Sequence, residues 1–558
     1  MNHLLKSTFL LGSLLILANC QPKEKIVVSE RCVEYSLKVE NDIKVSLRDN
    51  VQLSVNVYRP DAPGTFPVII SLGPYGKDDL PYNYDPINDG VIQVSEYAAY
   101  ETPDPAFWVK HGYVVIAADS RGAGKSDGHL NLLEDKEAED FYDLIEWAGV
   151  QSWSSGKVGL NGMSYFGISQ WKVAALNPPH LKAIICWEGF TDAYRDVFYH
   201  GGIPSTFLDL WYPYRVLNKL SPTNTGYRDL PAEVEANPLI SSTVHRELDA
   251  TGVLQSITVP AYIAVSIQDH GLHTRGTING FQQISSSYKW LELYGRKKLE
   301  FYYGADATSR QKKFFDYFLK DIDNDMLAQP PIRYEMREAY YQGTIETAST
   351  WPLPGRDLKK LYLDATTNTL RSDAPSMVTI ATYDANPIDN PAAIRDNQRV
   401  VFKHIFTEET KIAGSIKLNL FVSTDQANDI DLFVGIQKAD GNGNIVYLQG
   451  PAEPNGQVAS GWLRVSKRAL NVQKTTEEIP FHQHDMIEKI TPNQQVEVQV
   501  EIWPTTIKFN AGEQLLLVIQ GSDILESQEE HKNNVNQGNT SIYSGGTTLS
   551  YLQIPVLK

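Results

Sequence analysis

Ser164 stands in the run Leu160-Asn161-Gly162-Met163-Ser164-Tyr165-Phe166-Gly167, whose residue types suit a serine that attacks carbonyl groups. The stretch before it is apolar and reads as a strand; the stretch after it reads as a helix. A serine on such a sharp turn projects its hydroxyl above the sheet edge, and small neighbours let strand and helix approach closely. The helix N-terminus then offers backbone N–H groups to a developing oxyanion. The general pattern is G-x-S-x-G. Here the second glycine comes one position later, at Gly167, and Phe166 holds its usual place. A second candidate is Asp269, which ends the apolar run AYIAVSIQ. An acid at a late strand end orients the histidine that activates such a serine, although it also suits the cap of the helix that follows.

These residues need a scaffold, and the chain's patterning supplies one. Apolar runs at FPVIISLG, GYVVIAAD, KVGLNGM and LKAIICW alternate with stretches of helical spacing. One of these, EDKEAEDFYDLIEWAGV, sets Phe141, Leu144, Ile145 and Ala148 on one face. Strands alternating with helices predict βαβ units and a mostly parallel sheet. The pattern breaks over 191–253, rich in aromatics, Pro and Asn, which reads as an inserted, largely helical cap containing Trp211, Tyr212 and Tyr214. It resumes at 254 and closes near 328. From 329 to 558 short alternating runs with recurrent turn residues predict an all-β sandwich of jelly-roll type. The expected fold class is therefore an α/β-hydrolase domain (34–190 and 254–328) with an inserted helical cap, followed by a β-sandwich.

Gly162-Met163-Ser164-Tyr165-Phe166-Gly167 resembles the GxSYxG motif of the cocaine esterase / X-Pro dipeptidyl-peptidase family. Gly73-Pro74-Tyr75-Gly76-Lys77, Asp119-Ser120-Arg121-Gly122 and Val259-Pro260-Ala261 add to the likeness. The resemblance implies an acyl-enzyme on Ser164, formed from a small ester, an amide or a short X-Pro-like peptide. It implies that the Tyr75 hydroxyl and the Tyr165 N–H hold the oxyanion, and that Asp269 serves the base. No cofactor is implied. Related sequences carry the base after the strand KWLELYG, where this chain has Tyr294, and no histidine occurs between His273 and His404. Three readings stay open. His273 or His270 serves instead, the spacing of four putting Asp269 and His273 on one helical face; a distant histidine folds in, His482 or His484; or the site is degraded and the scaffold binds a peptide or glycan at the cell surface.

The N-terminus reads as an export signal. An early Lys6 precedes the apolar run Phe9–Ala18, too short to span a bilayer as a permanent helix, and the run ends at Cys20. This resembles a bacterial lipoprotein signal (1–20), in which Cys20 becomes the lipidated first residue, with 21–33 as a tether; Asn19 departs from the usual small residue there. The expected location is the periplasm or cell surface, membrane-anchored through that lipid. Only Cys32 and Cys186 remain, which is no disulfide scaffold in 558 residues. Net charge is −17, with no Lys/Arg cluster to neutralise phosphates, which argues against nucleic acid as a partner. Asp425, Asp429 and Asp431 fit the polar face of a strand, so no metal site is expected. No nucleotide-binding glycine pattern is present.

Overall fold

The structure, a computed structural model, describes residues 34–80, 90–388, 394–448, 450, 455–524, 531–532 and 535–558. The signal, the tether and Cys20 lie outside the described residues, as does Cys32. Cys186 is buried and donates its thiol to the Gly167 carbonyl.

Eight strands form the first sheet: β1 (Leu37–Ser46), β2 (Gln52–Pro60), β3 (Phe66–Gly73), β4 (Val114–Asp119), β5 (Ser154–Met163), β6 (Leu181–Trp187), β7 (Ala261–Ser266) and β8 (Lys289–Tyr294). Their spatial order is β1-β2-β4-β3-β5-β6-β7-β8. β1 and β2 pair antiparallel at one edge and the rest run parallel. Every residue of β3, β4 and β7 is buried, as a parallel strand covered on both faces requires.

Alternate residues of these strands serve two cores. On one face Ile70, Leu160, Ile184 and Ile263 pack with Phe141, Leu144, Ile145 and Ala148 of α1 (Asp135–Gly149) and with Ile168 and Trp171 of α2 (Tyr165–Ala175). Ile278 and Phe281 of α3 (Thr274–Gln283) join the same face. On the other, Ile69, Val115, Ile185 and Tyr262 pack with Phe314, Phe315 and Leu319 of α4 (Ala305–Lys320).

The segment 191–253 is less helical than its composition predicts. It is assembled from short pieces, Phe207–Trp211, Leu230–Ala236 and Thr243–Leu248, linked by π-turns at Tyr194–Phe198 and Tyr212–Val216. Pro213 and Pro231 admit only the first turn of a helix, and Gly201 and Gly202 take positive φ, so no piece grows long.

Beyond β8, strand β9 (Ile332–Ala339) continues the sheet in parallel and leads into an antiparallel sandwich. There the strand Thr410–Thr424 pairs with Val496–Phe509 and Tyr551–Leu557, and Asp431–Ala439 with Gln514–Gln520 and Ala459–Arg464. Leu418, Leu420, Val434, Ile436, Leu517 and Ile519 fill a separate core between them.

The sandwich also grips the loop after β7. Arg337 of β9 donates to the Gln268 side chain, to the Thr506 carbonyl at 3.0 Å and to Thr505 Oγ1 at 2.6 Å. Gln268 in turn donates to the Gln457 carbonyl, and His270 Nε2 lies 3.3 Å from the Pro504 carbonyl. The sandwich thus holds the loop that carries Asp269 through the residues on either side of it, Gln268 and His270. Among the described residues no helix is long and apolar enough to cross a membrane.

Candidate active site

Ser164 links β5 to α2 with φ 54° and ψ −120°, a backbone conformation that costs a non-glycine residue about 1–3 kcal/mol. The glycines around it answer to close approach. A Cβ on Gly162 would lie 2.3 Å from Phe166 Cβ, and one on Gly167 would lie 2.6 Å from the Trp187 carbonyl oxygen. Phe166 is tolerated in the pattern because Gly73 leaves room for its ring: a Cβ there would sit 2.5 Å from it. The Ser164 N–H donates to the Trp187 carbonyl at 2.8 Å, which ties the turn to the end of β6.

Asp269 and His273 follow β7 in a single tight turn. The His273 and Thr274 N–H groups both point at the Asp269 carbonyl, at 3.2 and 3.1 Å, and His273 caps α3. This turn brings His273 Nδ1 to 2.6 Å from Asp269 Oδ2, while His273 Nε2 lies 3.2 Å from Ser164 Oγ. Both Asp269 and His273 are 1% exposed. Burial pushes the Asp269 carboxyl up, but the adjacent His273 imidazole together with Lys298 and His270 outweighs it and holds the group below its ordinary value.

The other histidines lie elsewhere. His270 faces the sandwich, and burial pushes its imidazole down to about 4. His482 bonds the Gln499 carbonyl at 2.9 Å and is likewise pushed down to about 4 by burial; His484 packs on the Tyr194 ring. Tyr294, at the end of β8 where a base is expected, is buried; its hydroxyl accepts from Trp187 Nε1 at 2.9 Å and donates to Glu188.

Tyr75 follows β3 and packs edge-on to the rings of Tyr165 and Phe166, with centroids 5.9 and 5.6 Å away. Its oxygen accepts from Trp211 Nε1 at 2.9 Å, which leaves its own proton to donate. Burial raises its pKa, so it stays a phenol. Tyr165 is the first residue of α2, so its N–H has no acceptor within the helix. Its hydroxyl donates to Glu137 Oε2 at 2.7 Å, and Ser120 donates to the same carboxylate. Beside Tyr75 lies a cavity of about 280 Å³ lined by Tyr100, Phe166, Tyr214 and Arg215.

Glu188 is a residue that the sequence pattern does not single out. Glu188, Asp269 and His273 bring three potential ligand atoms within 4.8 Å of one another, but the 2.6 Å separation of imidazole and aspartate is a hydrogen bond rather than two ligands of one ion. The only available signal for Glu188 is its place, an acid directly after the buried strand LKAIICW.

A mostly parallel eight-stranded sheet with a strained serine between strand and helix, followed by a β-rich domain, defines an α/β-hydrolase. Residues 49–293 match the family described as X-Pro dipeptidyl-peptidase (S15 family), and residues 324–553 match its C-terminal non-catalytic domain. A crystal structure of a CocE/NonD family hydrolase from Staphylococcus aureus is 39% identical, covers 94% of each chain and superposes with a TM-score of 0.88. The cocaine esterase of a Rhodococcus species is 34% identical over 172 residues, 30% of this chain and 27% of that protein. A putative Xaa-Pro dipeptidyl-peptidase from Bacillus anthracis is 23% identical over 565 residues, 90% of this chain and 84% of that protein. The chain belongs to the CocE/NonD and X-Pro dipeptidyl-peptidase family of serine hydrolases.

Proposed function

We propose that this chain is an exported acyl hydrolase that cleaves ester or amide bonds through an acyl-enzyme on Ser164. The observation that carries the reading is the hydrogen-bonded chain Ser164 Oγ, His273, Asp269, with links of 3.2 and 2.6 Å. His273 Nε2 takes the Ser164 proton as its oxygen attacks the carbonyl, then returns it to the leaving group. Asp269 keeps Nδ1 protonated and steadies the imidazolium. The Tyr75 hydroxyl and Tyr165 N–H donate to the oxyanion, and water then releases the acid by the same steps in reverse. The alternative of a degraded binding scaffold rests on the lack of a base, and an imidazole within reach of the serine weighs against it.

Esters are favoured over X-Pro peptides. A dipeptidyl-peptidase has to pair a substrate ammonium with a carboxylate. Of the acids that follow β6 in the chain, Asp192 already pairs with Arg195 at 2.6 Å and Asp196 with Arg275 at 2.7 Å, so neither is free to take one. The purified protein should therefore hydrolyse p-nitrophenyl acetate or butyrate with kcat/KM at least ~100-fold above that for a Gly-Pro p-nitroanilide. Turnover of neither would count against the enzyme reading, and a preference for the anilide against the substrate class.

The apolar run Phe9–Ala18 before Cys20 supports export with a lipid on Cys20. In a bacterial host the wild-type chain should fractionate with membranes and incorporate an alkyne fatty acid, and Cys20→Ser should do neither. Equal labelling of the two would remove the anchor from the account.

A further inference from the structure

Behind the imidazole lies a second carboxylate that the triad does not require. Glu188 follows β6 with φ 53°, a left-handed turn that is strained for a glutamate and is held by its N–H donating to the Ala264 carbonyl at 2.7 Å. The turn points its side chain under the site, where it is fully buried. One oxygen, Oε1, accepts from the Ser266 N–H at 3.1 Å and from the Tyr294 hydroxyl. The other, Oε2, has no hydrogen-bond partner and lies 3.9 Å from His273 Nδ1. An unpaired, fully buried carboxylate oxygen is costly unless something makes use of it.

We propose that Glu188 is a positioning residue, a second acid that supports the His273 imidazolium beside Asp269 and takes over the Nδ1 proton bond when Asp269 is lost. The proposal rests on the reading of Ser164 and His273 as nucleophile and base. No proton is transferred to Glu188. The Ser164 proton moves to His273 Nε2, the Nδ1 proton stays on the ring, and both carboxylates remain ionised around the new positive charge. The tyrosine at 294 then has a role: it occupies the usual site of the base and fixes the oxygen of Glu188 that does not face the imidazole.

The charges around Glu188 fit this use. Burial raises its carboxyl to about 7, and the Asp269 carboxylate adds to the rise. Lys298, His273 and the Tyr294 hydroxyl pull the other way. Lys298 is half-buried, 3.7 Å from Glu101. Glu188 is thus ionised above neutral pH and protonated below it, so its support for the imidazolium should fade as the medium is acidified.

Ester hydrolysis across pH tests the proposal with Glu188→Gln, Asp269→Asn, the double variant and Tyr294→Phe. Glu188→Gln alone should lower kcat/KM about ten-fold and move the acid limb of its pH profile to lower pH, because the imidazolium is less stabilised. Asp269→Asn should lose about 10²-fold rather than the ~10⁴-fold expected of a triad with one acid, and adding Glu188→Gln should remove about another 10². Tyr294→Phe leaves His273 untouched and makes Glu188 harder to ionise. It should slow the enzyme most at and just above neutral pH, where the wild-type carboxylate is ionised and the variant's is still protonated, and recover at higher pH, which keeps the proposal testable if the glutamine variant does not fold. Unmoved profiles in Glu188→Gln and Tyr294→Phe, with Asp269→Asn as inactive as the double variant, would overturn it. Those results alongside an inactive Ser164→Ala overturn the role of Glu188 alone; turnover by Ser164→Ala overturns the nucleophile and this inference together.

Discussion

His273→Ala is expected to lower kcat/KM for an ester substrate by about 10⁴–10⁶, with the fold intact by circular dichroism. The reason is the 3.2 Å contact between its Nε2 and Ser164 Oγ. Without that base the serine hydroxyl stays protonated and is a poor nucleophile, and only the oxyanion donors and substrate binding continue to act. The comparison that gives the result meaning is with the other histidines. His270 faces the Pro504 carbonyl and His482 the Gln499 carbonyl, so His270→Ala and His482→Ala should change the rate less than about ten-fold while costing some stability. A large loss in either, with His273→Ala active, would mean that the base comes from the sandwich side.

Ser164→Ala is expected to remove catalysis to a similar extent, about 10⁶-fold, because nucleophile and base act as a unit. Its partner variant separates chemistry from strain. Ser164 holds φ 54° and ψ −120°, which a glycine adopts without a Cβ clash. Ser164→Gly should be as inactive as Ser164→Ala yet more stable than it by about 1 kcal/mol in denaturant unfolding. The strain is then a cost that the fold bears to hold the hydroxyl above the sheet. Equal stabilities for the two variants would show that the turn is relaxed.

Much of the scaffold is legible in the residues. The period-3.6 face of Phe141, Leu144, Ile145 and Ala148 packs on the sheet, and the buried runs become parallel strands, because both signals depend on local spacing. The strand before Ser164 and the helix after it follow from the same logic. The cap is less legible: its aromatic content suggests helices, but Pro213, Pro231 and the glycine pair at 201–202 cut it into short turns.

The base is the hardest part to read. The resemblance to related sequences puts the base at the end of β8, and there the chain has Tyr294. The histidine that contacts Ser164 comes instead from four residues after Asp269, in a turn whose geometry depends on Gly271 at φ 99° and on the sandwich clamping Gln268 and His270. Spacing alone places Asp269 and His273 together but says nothing of the serine. Glu188 is hidden for the same reason. Its partners, Tyr294, Ser266 and His273, are at least 78 residues away in the chain, and only the sheet order β6-β7-β8 brings them together.

The central claim is that Ser164 is a nucleophile activated by His273. Mass measurement of the intact protein after exposure to a fluorophosphonate, with peptide mapping of the adduct, tests it most directly. One adduct is expected, on Ser164, absent in Ser164→Ala and formed at least ~10³-fold more slowly in His273→Ala. An unmodified wild-type protein, under conditions that label an active esterase of this family, would contradict it, as would an adduct that persists in Ser164→Ala.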